Sequence, residues 1–169
     1  MISAITCVDK NWGIGYNGKL LAHIPEDMRF FKEMTSDSIV IMGRKTYESL
    51  PSKPLPHRIN VVITSRIKEG GEIDEKGTIF ASMEFVKLYL SEMHPLMIDC
   101  FIIGGEQIYK ELLPYCDDAY VTKVDYEYEN VDTYFPNLDT KENWEMVKNG
   151  EEKTHNGIKY KFCIYEKGV

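Results

Sequence analysis

An apolar strand runs directly into a helix at Ile102-Ile103-Gly104-Gly105-Glu106-Gln107-Ile108-Tyr109. The two glycines lie at the turn, where the missing side chain permits unusual backbone angles and the close approach of another group. N–H groups at the start of the following helix can bind a phosphate. The stretch does not match the G-x-G-x-x-G dinucleotide pattern, however, and a Gly-Gly pair at such a turn is more often a tight turn than a cofactor site. Both interpretations therefore stay open.

The same succession of strand, glycine and helix occurs at Val40-Ile41-Met42-Gly43-Arg44-Lys45-Thr46, and similar segments alternate along the chain. We predict strands at residues 2–8, 39–42, 59–64, 78–81, 98–103, 119–124 and 159–166. We predict helices at residues 25–34, 44–50, 83–93 and 106–113, and a surface loop at residues 68–77. This alternation indicates an α/β fold with a mostly parallel, twisted central sheet, flanking helices and an antiparallel C-terminal edge.

Length and composition limit the class of protein. The 169 residues suit one domain, residues 1–169, and a net charge of −7 argues against general binding to nucleic acid or to an anionic membrane surface. The four cysteines occur singly, without zinc-binding spacing, which is consistent with a reducing compartment and no bound metal. The N-terminus lacks the features of a signal peptide, and no apolar window is long enough to span a membrane. We therefore expect a cytoplasmic location.

A local basic segment stands out in this acidic chain. Six lysines and arginines lie between residues 44 and 68, opposed only by Glu48, and charge alone favours a solvated face. Two predicted strands nevertheless end in this segment, one at Gly43-Arg44-Lys45-Thr46 and the other at Thr64-Ser65-Arg66. Hydroxyl and guanidinium groups at adjacent strand ends suit a phosphorylated cofactor, and an arginine there suits the 2′-phosphate of NADP better than NAD. The Walker pattern is absent, so nucleoside triphosphate hydrolysis is not indicated.

An acidic residue heads the apolar stripe of the first predicted helix. Pro25 suits the first turn, and helical spacing puts Phe30, Phe31 and Met34 on the same side as Asp27. Asp27 is either a first-turn residue stabilised by the helix dipole or a carboxylate in a pocket, where burial would raise its pKa. Spacing alone favours the first of these interpretations.

Taken together, these motifs resemble the dihydrofolate reductase family over about residues 1–166. The matching motifs, in the family's order, are Gly13-Ile14-Gly15-Tyr16-Asn17-Gly18, Ile24-Pro25-Glu26-Asp27-Met28, Phe31-Lys32, Met42-Gly43-Arg44-Lys45-Thr46, Leu55-Pro56-His57-Arg58, Ile103-Gly104-Gly105, Thr122 and Asp132-Thr133-Tyr134-Phe135-Pro136. The resemblance implies NADPH-dependent reduction of 7,8-dihydrofolate to 5,6,7,8-tetrahydrofolate, with hydride transfer to C6 and protonation at N5. It also implies antifolate inhibitors as ligands and a monomeric protein.

The resemblance implies a set of substrate contacts. Asp27 would pair with the 2-amino group and N3 of the pterin and set the electrostatics of proton delivery. Thr122 would connect to Asp27 through its hydroxyl or a water, and Arg58 would bind the α-carboxylate of the glutamate tail. The implied lining of the pterin and benzoyl pocket consists of Ile5, Cys7, Met28, Phe31, Leu50 and Leu55.

Cofactor contacts are implied in the same way, at two N-terminal residues, on two segments among the basic residues and on the segment with the Gly-Gly pair. The implied cofactor residues are Cys7, Ile14, Gly43, Arg44, Lys45, Thr46, Thr64, Ser65, Arg66, Ile103, Gly104, Gly105, Glu106, Gln107, Ile108 and Tyr109. By the same resemblance the Gly104–Gly105 peptide should be cis, and the glycine-rich residues 11–21 should form a mobile flap over the nicotinamide.

The chain departs from the family pattern before the first helix, where relatives have Pro-Trp and this chain has Leu21-Ala22. The smaller side chain should enlarge the site there, and Trp12 and Trp144 occupy other positions. Residues 51–54 also have one residue more than many relatives. Two alternatives remain: a pteridine- or riboflavin-pathway reductase of the same fold, which would lack Asp27 and Arg58, and an NADPH-binding relative without turnover.

Overall fold

The computed structural model describes residues 1–92 and 98–168. Its helices are α1 (Pro25–Thr35), α2 (Arg44–Ser49), α3 (Met83–Glu92) and α4 (Glu106–Leu112), followed by a 3₁₀ turn at Leu113–Tyr115. Met93, the last residue of the predicted third helix, lies outside the described residues. The strands are β1 (Ile2–Val8), β2 (Gly13–Tyr16), β3 (Lys19–Leu20), β4 (Ile39–Gly43), β5 (Ile59–Ile63), β6 (Gly71–Ile73), β7 (Ile79–Ala81), β8 (Cys100–Gly104), β9 (Asp118–Val124), β10 (Thr133–Tyr134), β11 (Trp144–Asn149), β12 (Lys153–His155) and β13 (Ile158–Lys167).

The larger sheet has the strand order β11-β13-β9-β1-β8-β4-β5-β7-β6, with β12 paired to β13. Its six central strands, from β9 to β7, are parallel to their neighbours. At one edge β13 and β11 are antiparallel, as predicted for the C-terminal part. The α/β class and the mostly parallel sheet are thus confirmed.

Helices cover both faces of this sheet because its strands are apolar on both sides. Along β4, Ile39 and Ile41 pack on the face covered by α3 and α4, whereas Val40 and Met42 pack on the opposite face. That second face is covered by Phe30, Phe31 and Met34 of α1 and by Tyr47 of α2. The parallel strands therefore bring their carboxyl ends, and the helices that follow them, to one edge of the sheet.

One prediction about the remaining segments was wrong, and several strands elsewhere were not predicted. The predicted surface loop at residues 68–77 contains β6, which pairs antiparallel with β7 and forms the other edge of the sheet. The predicted flap, residues 11–21, contains the hairpin β2–β3, which forms a small second sheet with β10. The strands β11 and β12 were also not predicted. The strands β3, β6 and β11 are short or mostly exposed edge strands, so they lack the buried runs that identify the central ones, and β2 is buried but only four residues long.

Candidate active site

Asp27 lies in the first turn of α1, which begins at Pro25 without a side-chain cap. The Thr122 hydroxyl donates a hydrogen bond to Asp27 Oδ1 over 2.6 Å. Thr122 stands directly opposite Cys7 in the parallel pairing of β9 with β1, so both side chains come from adjacent central strands. The helix and the sheet thus meet at this carboxylate, and the link that the resemblance implied is made by the hydroxyl itself.

Burial raises the pKa of Asp27, while hydrogen bonds from Thr122 and from the Cys7 thiol act in the opposite direction. The pKa of Cys7 is raised well above its usual value, first by burial and then by the neighbouring Asp27 charge. The thiol therefore stays neutral beside the carboxylate. A partly desolvated carboxylate between a hydroxyl and a thiol is suited to binding a cationic or amidine-like edge.

The apolar residues implied for the substrate pocket lie mostly in one cluster beside Asp27. Ile5 is buried there, and Phe31, Leu50 and Leu55 pack against the same cluster while remaining partly exposed. Met28 differs from this group, since it is 49% exposed. With Cys7, which bonds Asp27 directly, the structure therefore brings five of the six predicted lining residues together near Asp27.

Arg58 lies at the opposite end of α1 from Asp27. Its Nη1 donates to Thr35 Oγ1 over 3.0 Å, and its Nε donates to the Pro56 carbonyl over 2.9 Å. Thr35 is the last residue of α1, and its hydroxyl in turn donates to the Phe31 carbonyl. These contacts fix the plane of a half-buried guanidinium at the far end of the helix.

Gly43 and the Gly104-Gly105 pair end neighbouring strands, β4 and β8, and the predicted cis peptide between Gly104 and Gly105 is confirmed. Gly104 has φ +123°, a conformation that favours glycine. A Cβ on Gly43 would lie 3.1 Å from Ile108 Cγ1, and one on Gly105 would lie 3.6 Å from Thr46 Oγ1. The start of α2 therefore lies beside the Gly-Gly turn. Two of the segments implied for the cofactor, residues 43–46 and 103–109, are thus close together.

The side chains of α4 that were implied to bind the cofactor contact other groups of the protein. Tyr109 is buried, and its hydroxyl donates to the Ile5 carbonyl over 2.7 Å, while Ile108 lies in the core of the other sheet face. Glu106 accepts a hydrogen bond from the Tyr134 backbone N–H, and Gln107 donates to Glu111. Ile103, at the end of β8, packs with the cluster around Ile5 and Val40.

The basic residues implied for the cofactor are exposed at the ends of β4 and β5. These two strands are parallel neighbours, and Gly43 of β4 lies opposite Ile63 of β5. Arg44 Nη1 lies 3.1 Å from Glu48 Oε1, and Arg66 Nη1 lies 3.7 Å from Glu72 Oε2. The guanidinium of Arg66 also lies 5.7 Å from the centre of the Phe80 ring. Thr64 is buried and its Oγ1 accepts the Arg66 backbone N–H, whereas Ser65 and Lys45 are exposed.

The hairpin β2–β3 is bonded to residues 132 and 133, at the start of β10. Asp132 accepts a hydrogen bond from the Asn17 backbone N–H, and Gly15 pairs with Thr133 of β10. Ile14, the implied nicotinamide contact, is buried on the face of the sheet that α3 and α4 cover. Trp12 packs on the same face, against Phe135 and Tyr165. Trp12 therefore does not replace the missing tryptophan, because Ala22 packs in a different cluster with Ile24 and Tyr160.

One group of residues beside the site was not predicted. Glu26, next to Asp27, accepts hydrogen bonds from Lys153 and from Tyr160. These partners are 127 and 134 residues away in the sequence, so no local spacing could indicate them.

Within residues 1–92 and 98–168, none of the helices is long and apolar enough to cross a membrane. The same residues contain no group of three or more histidine, cysteine, aspartate or glutamate side chains arranged to hold a metal ion.

Comparison with known proteins identifies the family. The family model described as dihydrofolate reductase matches residues 1–167. The dihydrofolate reductase of Bacillus subtilis (strain 168) is 39% identical over 99% of this chain and 95% of its own length. Those of Buchnera aphidicola subsp. Acyrthosiphon pisum and Neisseria gonorrhoeae are 36% and 35% identical, over 96% and 97% of this chain and 97% and 96% of their own lengths. With the family model matching almost the entire chain, and with Asp27, Thr122 and the Gly104–Gly105 turn in the geometry just described, the chain belongs to the dihydrofolate reductase family.

Proposed function

We propose that the chain reduces 7,8-dihydrofolate to 5,6,7,8-tetrahydrofolate with NADPH, by hydride transfer to C6 and protonation at N5. Reduction of dihydrofolate is the activity for which the family is named, and it makes the chain an oxidoreductase of tetrahydrofolate metabolism. The observation that supports a working site is the Asp27 carboxylate, held at 2.6 Å by Thr122 and partly desolvated beside the apolar cluster.

Asp27 would bind the 2-amino group and N3 of the pterin, since a carboxylate can accept two parallel charge-assisted hydrogen bonds from such an edge. Ile5, Phe31, Leu50 and Leu55 would contact the pterin and benzoyl rings and exclude water from them. Thr122 orients the carboxylate, and Cys7 completes its surroundings as a neutral group. Asp27 thereby sets the electrostatics in which a proton reaches N5.

The donor set at the ends of β4, β5 and β8 fits a phosphorylated dinucleotide. Arg44, Lys45 and Thr46 would bind phosphate oxygens, and Thr64, Ser65 and Arg66 would bind the adenosine 2′-phosphate. Backbone groups around Gly104 and Gly105 would approach the pyrophosphate, because glycine leaves the space open. NADPH, when bound, supplies the hydride.

An assay that follows NADPH oxidation with dihydrofolate tests the proposed function directly. We expect turnover with dihydrofolate and none with pyrimidine intermediates of riboflavin synthesis. The absence of turnover with dihydrofolate would refute the proposal, and turnover with the pyrimidine alone would favour the reductase of the same fold. A 2,4-diaminopyrimidine antifolate should inhibit by pairing with Asp27.

The choice of cofactor depends on Arg66. Replacing Arg66 with serine should lower the ratio of kcat/KM for NADPH to that for NADH about tenfold, because a charge-assisted contact to the 2′-phosphate is lost. Steady-state kinetics with both cofactors measure this ratio. Lys68→Ser removes a neighbouring cation outside the site and serves as the control. An unchanged ratio in Arg66→Ser would place 2′-phosphate recognition elsewhere.

We also propose a single-domain, monomeric, cytoplasmic protein. Its larger sheet includes strands from both ends of the chain, β1 and β13, which supports one domain. Its four cysteines, all within the described residues, are free, as expected in a reducing compartment. Light scattering after gel filtration tests the oligomeric state, and a dimer mass would contradict the proposal.

A further inference from the structure

The first turn of α1 is joined to the C-terminal hairpin β12–β13 through a group of three side chains, which we call the Glu26 cluster. It consists of Glu26, Lys153 and Tyr160. Lys153 Nζ donates to Glu26 Oε1 over 2.8 Å, and the Tyr160 hydroxyl donates to Glu26 Oε2 over 2.6 Å. Lys153 and Tyr160 are directly opposite each other in the antiparallel pairing of β12 with β13. Both oxygens of the Glu26 carboxylate are therefore held by one rung of the hairpin.

This cluster reaches Asp27 by two routes. Glu26 is the preceding residue in the same helical turn. On the hairpin side, Phe162 lies two residues beyond Tyr160 and pairs directly with Thr122, whose hydroxyl bonds Asp27. The ring of Phe162 also lies 4.8 Å from that of Phe30 on α1 and 5.9 Å from Lys153 Nζ. The hairpin thus contacts the helix and the strand that hold the carboxylate.

Most of the titratable groups around Asp27 are neutral. The titratable groups around it are Cys7 of β1, Tyr109 of α4, Tyr160 of β13 and, on α1 itself, Glu26 and Arg29. Burial raises the pKa of the cysteine and of both tyrosines, that of Tyr160 to about 12, so these groups are neutral at physiological pH. Contacts with Lys153 and Tyr160 lower the pKa of Glu26, which keeps Glu26 anionic. Glu26 and Arg29 lie on the first turns of α1 with Asp27, and Lys153 pairs with Glu26, whereas burial, Thr122 and Cys7 account for the pKa of Asp27 itself.

We propose that Glu26, Lys153 and Tyr160 are positioning residues for Asp27: the hairpin anchors the first turn of α1 through Glu26, and the charge of Lys153 neutralises that of Glu26 beside the catalytic carboxylate. This inference rests on the proposed function, in which Asp27 sets the electrostatics of proton delivery. The side chains of Glu26 and Lys153 are 39% and 41% exposed, so solvent and salt screen their effect on Asp27.

Removal of either charge has an effect of predictable sign. Lys153→Met leaves an unbalanced anion next to Asp27, which disfavours the second negative charge and raises the apparent pKa of Asp27. Glu26→Gln leaves an unbalanced cation and lowers it. Because the reaction requires a proton at N5, the rate falls as pH rises, and a raised pKa moves this fall to higher pH.

The experiment measures the single-turnover rate of NADPH oxidation against pH in the wild type and three variants. We expect the midpoint to move up by about half a pH unit in Lys153→Met and down by a similar amount in Glu26→Gln. In the double variant Glu26→Gln/Lys153→Met it should return close to the wild-type value. Both shifts should shrink at high ionic strength.

Two controls separate electrostatics from simple loss of structure. Lys153→Arg keeps the charge and should keep the midpoint. Lys159→Met breaks the exposed Lys159–Glu152 pair on the same hairpin, 3.4 Å in length, and should leave the midpoint unchanged. Tyr160→Phe, which removes a neutral donor, should change the rate without the opposite shifts of the two charge variants.

Opposite shifts that cancel in the double variant support the proposal, and any other pattern overturns it. The profile of Asp27→Asn is measured alongside. A wild type without turnover refutes the proposed function itself, and a midpoint that persists in Asp27→Asn refutes the role of Asp27 in proton delivery. A midpoint that depends on Asp27 but ignores Lys153 and Glu26 refutes only the positioning role.

Discussion

Replacing Asp27 with asparagine is expected to lower kcat/KM for dihydrofolate at least about 100-fold near neutral pH, and to leave the affinity for NADPH unchanged. Asparagine keeps the shape of the side chain and can still accept the Thr122 hydrogen bond, but it lacks the charge that binds the pterin edge and sets the electrostatics around N5. Steady-state kinetics and a fluorescence titration with NADPH measure the two quantities separately.

The control for this variant is Glu33→Gln, which removes a charge from an exposed position of the same helix. It should leave kcat/KM close to the wild-type value. Wild-type turnover in Asp27→Asn would move the catalytic role to another residue. Loss of NADPH binding in that variant would indicate damage to the fold rather than loss of a charge.

The same substitution should stabilise the protein at neutral pH. Burial raises the pKa of Asp27 in the folded state, so the folded state favours the protonated carboxyl. The corresponding contribution to stability is present below the unfolded-state pKa of about 4 and is lost as pH rises through the folded-state pKa. Asp27→Asn should therefore have a higher Tm than the wild type near pH 7, with a difference that disappears below about pH 4. An equal Tm of the variant and the wild type at both pH values would contradict a destabilising effect of the buried, charged carboxylate.

The parts of the fold that could be predicted are those buried on two sides. Ile39–Gly43 and Cys100–Gly104 read as short apolar runs because both faces of each strand contact helices. Gly71–Ile73 has three exposed residues and is a strand only because it pairs with β7, an arrangement that leaves no trace in local hydrophobicity. The hydrophobic pattern of a sequence therefore does not predict edge strands of this kind.

In the site, too, local spacing did not predict the contacts between residues that are distant in the sequence. Spacing around Asp27 favoured a helix-dipole role, since its partner Thr122 lies 95 residues away and only the pairing of β9 with β1 brings it near. The ordered motifs of the family supplied that connection. They do not indicate the contact between Glu26 and Lys153, which depends on how the C-terminal hairpin packs against α1.

Arg58 offers the second large effect, on substrate binding rather than on chemistry. Asp27 and Thr35 are eight residues apart on α1, or about 12 Å along the helix axis, which separates a site for the pterin from one for the glutamate tail. The Pro56 carbonyl and the Thr35 hydroxyl hold the Arg58 guanidinium at the far end. A fixed, half-buried guanidinium is suited to binding a carboxylate through two parallel hydrogen bonds.

We therefore expect Arg58→Leu to raise KM for dihydrofolate about 10- to 100-fold with little change in kcat, because the lost contact is made equally in the ground and transition states. A dihydropterin without the glutamate tail distinguishes this role from a general loss of structure, since its kcat/KM should be the same in the wild type and the variant. Arg29→Leu, which removes an exposed cation from the same helix, should leave KM for dihydrofolate unchanged. Equal losses with both substrates would show that Arg58 supports the fold of the pocket instead of binding the tail.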